Sequence, residues 1–469
     1  MEVTTQTFKD NAKRALHDEM LQTAMRRATG QFVSRRKAAV AALASFEDLR
    51  DYCAAVKAHT LEHLDVYLDE LVTSVERLGG EVHFAADAAE ANAVVTRLAR
   101  EAGVRTAVKS KSMLSEEIGL NEALERAGVS PIETDLGEYI LQLEHGWPSH
   151  IIAPVVHKTK EQIDRLFHER LGTALGSDVA TLTAAARRVL RDRFLEADMG
   201  ISGANFAVAE TGTIVLVENE GNIRLTTSLP RVHLAMMGLE KVLPRLRDLP
   251  AFLALLPRSA TGQKASSYVS LITGPRRQGE RDGPEAFHLL IVDNGRSAVL
   301  ADPKLRDALR CIRCGACLNS CPVYQQIGGH AYGWVYPGPI GAVLDPGLLG
   351  LEATRQLPQA SSLCGACGEV CPVKIPLPEL LIEHRRRSAE AGLSPRAEGA
   401  AVGAFAFVAQ RPHLWALGAA GARLGSGLFE RDGHMTAPAL PVLKEWLAER
   451  DLPAPAKKSF RQLWREGLS

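Results

Sequence analysis

CIRCGACLNSCP at residues 311–322 and CGACGEVCP at 364–372 decide the architecture of this chain. Seven of its eight cysteines fall between Cys311 and Cys371. The first run places Cys311, Cys314, Cys317 and Cys321 in the order C-x2-C-x2-C-x3-C and follows them with Pro322. This is the ligand run of bacterial two-cluster ferredoxins. The second run keeps Cys364, Cys367 and Cys371 ahead of Pro372 but has Ser361 where a first cysteine would stand.

The spacing carries its own physical reason. A cubane needs several thiolates converging on one compact core, and ligands three residues apart let a short loop curl around it. Gly315, Ala316, Gly365 and Ala366 are small enough for close backbone approach. Backbone N–H groups in such a loop point at the sulfurs and tune the potential. Pro322 and Pro372 restrict the residue before them and stiffen the chain at the last thiolate. Structural zinc also uses C-x2-C knuckles, but as two pairs rather than four thiolates with a trailing proline. A disulfide framework would need an oxidising compartment, and no secretory core precedes the domain.

Ligand counting follows the ferredoxin rule that the fourth cysteine of each run serves the other cluster. Cys311, Cys314, Cys317 and Cys371 are expected to hold one [4Fe-4S] cluster, and Cys321, Cys364 and Cys367 the second. The second set is one thiolate short. A Ser361 oxygen, a ligand from elsewhere, an open iron site and a [3Fe-4S] cluster all remain open, and the second cluster is expected to be the more labile. Cys53, in an apparent helix, reads as an ordinary buried thiol.

Composition bounds the rest. The chain has 469 residues, is 46% hydrophobic and 23% charged, and balances 55 Lys and Arg against 55 Asp and Glu. It can bury a large core and has no basic excess of the kind that nucleic acid selects. No apolar run reaches the roughly 18 residues that a membrane span needs. Free thiolates without an export signal predict a cytoplasmic location.

Four segments are expected. Residues 1–70 read as helix, with Leu61, Leu64, Leu68 and Leu71 on one face and Arg26, Arg27, Arg35, Arg36 and Lys37 as a solvated face. Residues 71–300 alternate strand and helix patterns, predicting an α/β domain with a parallel sheet. SHIIAPVV at 149–156 reads there as a buried strand. Residues 301–386 hold the cysteine runs, joined by a Gly- and Pro-rich stretch at 328–350 that reads as an ordered loop with short helical turns. Residues 387–469 read as a helical hairpin over 402–425, packed on the body or against a partner, with a membrane-surface element as the alternative, then a loop-rich end with a short helix at 444–451. Arg385, Arg386 and Arg387 read as a solvated helix end, with an acidic partner as the alternative.

Within the α/β region, NFAVAETGTIVLVENEGN at 205–222 reads equally as a ligand pocket at strand ends, using Glu210, Thr211, Thr213, Glu218 and Asn219, or as a hairpin turned by Gly212 and Gly221. Lys109, Ser110 and Lys111 could hold a carboxylate or phosphate, or form a plain βα loop. Neither a G-x-G-x-x-G fingerprint at the first βα turn nor a G-x-S-x-G elbow is present. His233, His288 and His330 read as structural.

Several longer stretches carry a resemblance. KSKSMLSEEIGLN at 109–121, ETDLGEYILQL at 133–143, GANFAVAETGTIVLVENEGN at 203–222, PRSATGQ at 257–263, ITGPRRQGERDGPE at 272–285 and both cysteine runs resemble the lactate utilisation B family of iron–sulfur proteins over nearly the whole chain. The resemblance implies electron transport during oxidation of L-lactate to pyruvate. It also implies a fold similar to ribose-phosphate isomerase and CoA-transferase domains for the α/β (LUD-type) region. Implied partners are a cysteine-rich subunit and a second protein with the same α/β domain. That family is likewise one cysteine short in the second run. A catalytic subunit that itself oxidises a hydroxy acid is the alternative function.

Overall fold

The computed structural model describes residues 3–394, 396–426, 429–435 and 452–467. The chain forms two compact units, Met1–Leu393 and Ser394–Ser469.

Ten strands belong to the first unit: β1 (Glu81–Ala85), β2 (Thr106–Lys109), β3 (Ser130–Glu133), β4 (Met199–Ser202), β5 (Phe206–Val208), β6 (Thr213–Glu218), β7 (Val232–Gly238), β8 (Val242–Leu243), β9 (Tyr268–Ile272) and β10 (Ala286–Val292). Six build one parallel sheet in the order β1-β10-β7-β4-β2-β3. Its central strands are covered on both faces, so β7 reads as an unbroken buried run rather than an alternating one. On one face Leu71 and Val75 of the helix Leu64–Arg77 meet Phe287, Leu289 and Ile291. On the other, Val95 and Leu98 of the helix Ala88–Glu101 pack near Leu234 and Leu290. The remaining strands form a second sheet, β8-β5-β6-β9, in which β5 and β6 are an antiparallel hairpin.

The N-terminal segment is helical, as its composition predicts, over Phe8–Leu16, Glu19–Ala41, Phe46–Glu62 and Leu64–Arg77. These helices share a core with the cysteine region: Phe8, Met25 and Phe46 lie in the same buried cluster as Tyr324, Tyr332, Cys317 and Cys371. Arg26, Arg27, Arg35 and Lys37 are exposed as expected. Arg36 departs from that face, because its Nη2 donates to the Val370 carbonyl at 3.0 Å.

Two expectations are corrected. SHIIAPVV is not a strand: residues 149–157 form bends and turns. Pro154 cannot donate to a ladder, and His150 Nδ1 instead accepts from the backbone N–H groups of Ile152 and Ala153 at 3.0 and 3.2 Å. The segment between the cysteine runs contains a full helix, Gly338–Leu349, with Pro346 inside it. Pro339 sits in its first turn, where a missing N–H costs nothing. The helix is apolar nearly all round and buried through Pro346, so packing overrides its glycines and prolines.

In the second unit, helices Arg396–Ala409 and Pro412–Ser426 make the expected hairpin, with Phe405 and Trp415 edge to face at 6.0 Å. The short helix expected at 444–451 lies outside the described residues. No described helix is long and apolar enough to cross a membrane.

Gly200 shows how closely the sheet is packed. A Cβ there would fall 1.8 Å from the Thr226 carbonyl oxygen. Gly200→Ala is expected to lower stability by about 1–3 kcal/mol through overpacking, read as a lower thermal midpoint with unchanged iron content.

Candidate iron–sulfur centre

Both cysteine runs share one local backbone. Arg313 and Leu363, each just before a cysteine, take left-handed φ values of 59° and 55°. Gly315 and Gly365, each just after it, take φ of 72° and 85° and start short helical turns. A Cβ at Gly315 would also press on His150 Cε1 at 3.0 Å, so the residue is glycine for two reasons. The hairpin-like curl turns backbone N–H groups towards sulfur: Arg313 N–H donates to Cys311 Sγ at 3.4 Å and Ile375 N–H to Cys371 Sγ at 3.3 Å.

This geometry brings Cys311, Cys314, Cys317 and Cys371 to the wall of one apolar cavity, closed by Ile151, Ile312, Ile340 and Val373. Cys321, Cys364 and Cys367 interact electrostatically as a second group. Cys314, Cys317, Cys321, Cys367 and Cys371 are buried, whereas Cys364 is exposed. Cys53 is a separate thiol in the helix Phe46–Glu62, fully buried and pushed up to about 12 by that burial.

The donor set fits iron. Burial, then mutual repulsion with Cys371, raises Cys314 above the ordinary thiol range. Cys317 is raised well above that range too, by burial and then by Cys314, Cys311 and Cys371 as neighbours. Burial and Cys321 push Cys367 up to about 11. Converging thiolates in an apolar wall are untenable alone, and a bound cationic cluster removes the conflict by displacing their protons.

Ser361 stands in the second run where Cys311 stands in the first, and its environment repeats. The Leu363 N–H donates to Ser361 Oγ at 3.1 Å, the counterpart of the Arg313 bond to Cys311 Sγ. Arg385 fixes this loop by donating to the carbonyls of Pro358 and Ser361, both at 2.8 Å. Arg386 and Arg387 pair internally, with Glu383 and Glu390 and with Asp302 and Glu383 respectively. Arg386 is exposed, as a solvated helix end would have it, and its pairs lie on its own helix, whereas Arg385 and Arg387 are half-buried and tied to other segments.

The N-terminal helices reach the centre. Arg50 Nε and Nη2 donate to the Cys371 carbonyl at 3.0 and 2.8 Å, and Nη2 also to that of Glu369 at 2.8 Å. Composition gave no sign of this role, since Arg50 sits in an ordinary amphipathic helix.

The α/β domain meets the first run through a buried charge network. Arg296 grips Glu117 with Nη1 and Nη2 at 2.8 and 2.7 Å, and its Nε donates to Glu240 at 2.9 Å. Arg313 Nη2 donates to Glu240 at 3.1 Å, and its guanidinium lies 4.7 Å from the Tyr336 ring centroid. Tyr336 donates to Glu117 at 2.6 Å. Burial opposes ionisation of Glu240, but Arg296 and Arg313 outweigh it and hold the carboxyl at about 2.

A cavity of about 340 Å³ opens beside this network at the carboxyl ends of the parallel strands. Lys111, Asp135, Glu218, Lys241, Arg296 and Arg313 are among its lining residues. Both readings of the 205–222 stretch thus hold in part. β5 and β6 form the hairpin, turned at Gly212 with φ of 63°, while Glu218 and Asn219 reach the cavity. Glu210 accepts from Leu246 N–H at 2.9 Å, and Thr211 bonds Thr213 at 2.7 Å, so these serve the turn. Lys109 is not open to an external anion, because its Nζ lies 2.9 Å from Glu116 and 2.7 Å from Glu133. Lys111 lines the cavity and donates to the Ile151 carbonyl, whereas the Ser110 hydroxyl is buried.

The histidines are structural. His233 Nε2 lies 2.8 Å from Ser202 Oγ, His288 pairs with His83 at 3.2 Å, and His330 bonds the Trp147 carbonyl at 2.9 Å.

Comparison with known proteins agrees with this division. Residues 68–292 match the LUD domain, 307–375 the 4Fe-4S dicluster domain, and 385–468 the C-terminal region of lactate utilisation protein B. The fold and site thus define a LUD-domain protein with an iron–sulfur dicluster module. The chain is 46% identical over 468 residues to Lactate utilization protein B of Bacillus licheniformis, covering 99% of this chain and 98% of that one. It is 47% identical over 466 residues to the protein of that name in Shouchella clausii, with 99% and 98% covered. It is 45% identical over 460 residues to the "Uncharacterized electron transport protein YkgF" of Escherichia coli, with 98% and 96% covered. The chain belongs to the lactate utilisation protein B family.

Burial holds His157 and His233 neutral, each lowered from 6.5 to about 3. Between those values the unfolded chain binds more protons than the folded one, so stability falls as pH is lowered below about 6.5. His233→Gln is expected to flatten that acid-side slope, measured as the dependence of the thermal midpoint on pH.

Proposed function

We propose that this protein is the iron–sulfur electron-transfer subunit of a multi-subunit system that oxidises L-lactate to pyruvate. The observation that carries this reading is the convergence of Cys311, Cys314, Cys317 and Cys371 on one buried cavity in a chain of this family. Those four hold the first [4Fe-4S] cluster, and Cys321, Cys364 and Cys367 hold the second. When bound, the clusters accept and pass electrons one at a time.

Ser361 Oγ completes the second site as its fourth ligand. Supporting this are the matched left-handed φ values at Arg313 and Leu363 and the matched backbone hydrogen bonds to Cys311 Sγ and Ser361 Oγ. A hard oxygen among soft thiolates makes this cluster the more labile one. Cys364 is exposed, so the second cluster faces the exchange partner, while Ile151, Ile340 and Val373 keep water from the first. The partners are a cysteine-rich subunit and a second LUD-type protein, and the system works in the reducing cytoplasm, where the thiolates survive.

The division into residues 1–70, 71–300, 301–386 and 387–469 belongs to the same proposal: a helical brace, an α/β domain, the cluster module and a C-terminal region. The α/β domain takes the ribose-phosphate isomerase and CoA-transferase type of fold, for which its parallel sheet is the support.

Anaerobically purified protein is expected to be brown, to bleach with dithionite and to respond to L-lactate only when co-purified with its partners. Colourless, iron-free material overturns the reading, and so does bleaching by L-lactate alone. Ser361→Ala should speed loss of the second cluster in air by at least about tenfold, and Ser361→Cys should slow it. Unchanged EPR spectra and iron loss in both variants would remove Ser361 from the ligand set.

A further inference from the structure

The stretches 109–121 and 133–143 carry chemistry that electron transfer does not use. They meet at a cavity of about 220 Å³ whose wall includes Glu116, Asn121, Glu133, Glu138 and Trp147. Four elements contribute: the helices Met113–Glu117, Leu120–Arg126 and Leu136–Glu144, and the edge strand β3. Glu116, Glu133 and Glu138 each bring a carboxylate oxygen within 4.8 Å of the other two.

One cation is already present. Lys109 Nζ bridges Glu116 and Glu133 at 2.9 and 2.7 Å. Three carboxylates then face one ammonium, and Lys111 is the other cation acting on Glu138. Glu138 is 3% exposed, yet neither of its carboxylate oxygens has a hydrogen-bond partner. Glu133 Oε2 and Asn121 Oδ1 are likewise buried without partners. Asn121 Nδ2 donates to Glu133 Oε1 at 2.8 Å, which fixes the amide in the cavity wall.

A buried carboxylate in this position is untenable without either a proton or a cation. Burial and the neighbouring Glu133 raise the Glu138 pKa well above its ordinary value even with Lys111 and Lys109 opposing the rise. One proton, however, bridges a single pair of oxygens and leaves the Asn121 carbonyl and the second Glu138 oxygen unused. The donor set is all oxygen, three carboxylates and one amide carbonyl, which hard divalent cations take at about 2.0–2.6 Å. Oxygens bound to one such ion lie no more than about 5 Å apart, and the three carboxylates satisfy that limit.

We propose that this cavity binds one hard divalent cation, Ca2+ or Mg2+, with oxygen ligands from Glu116, Glu133, Glu138 and the Asn121 carbonyl. The ion would staple β3 to three helices and offset the surplus negative charge beside Lys109.

The test is equilibrium dialysis of the anaerobically purified, chelator-washed protein against Ca2+ and Mg2+ in separate arms, with iron content measured on the same samples. One equivalent of either ion per chain is expected, with a thermal midpoint that rises with its concentration. Saturation by only one of the two identifies the ion. Glu138→Gln is expected to weaken binding by at least about tenfold. If that variant does not fold, Asn121→Ala, which removes one ligand, is expected to weaken binding in the same direction. Absence of stoichiometric binding of both ions at millimolar concentration overturns the proposal, as does undiminished affinity in the folded variant. A Glu138→Gln protein that is more stable and equally indifferent to both ions would assign the site to a shared proton instead.

Discussion

Burying several thiols in one apolar wall is the constraint around which this protein is arranged. Cys314, Cys317, Cys321, Cys367 and Cys371 are all withdrawn from water, and their anionic forms repel one another. Iron resolves that conflict, and burial that would otherwise oppose ionisation becomes shielding from solvent. The left-handed residues Arg313 and Leu363 and the flanking Gly315 and Gly365 exist to bend the chain tightly enough for this convergence.

The module does not stand alone. Its first loop is anchored in the α/β domain by Arg313, through Glu240 to Arg296 and Glu117. Its second loop is held from the N-terminal side by Arg50 and Arg36, which satisfy the carbonyls of Glu369, Cys371 and Val370. Both anchors are guanidinium groups, suited to gripping several acceptors at once. The LUD domain and the N-terminal helices thus form one continuous support for the cysteine loops.

How much of this was legible in the sequence depends on the range of the interaction. Cysteine spacing is local and dictated by cluster geometry, so the runs could be read directly. The alternation of strands and helices over 81–134 was equally plain, because each βα unit closes with its own glycine. The segment 149–156 misled, since an apolar stretch looks alike as a strand or as a series of turns, and the deciding bonds to His150 are side-chain bonds. The helix Gly338–Leu349 was hidden by two prolines that packing tolerates. The long-range arginine anchors left no periodic trace, as nothing in the neighbourhood of Arg50 distinguishes it from a surface residue. Lys109 was read as a group for an external anion or as part of a plain loop, because its internal partners lie 7 and 24 residues further on and became evident only in the fold.

The cavity that gathers Cys311, Cys314 and Cys317 closes only with Cys371, contributed from beyond a whole intervening helix. A nascent chain emerging from the ribosome therefore passes through a long interval in which the first run is exposed without its last wall. By then the α/β domain, complete near residue 292 with β10, has left the exit tunnel and can fold. The parallel sheet needs no residue beyond Val292, whereas the four-thiolate wall waits on Cys371, so the last ligand is the last part of this site to be made.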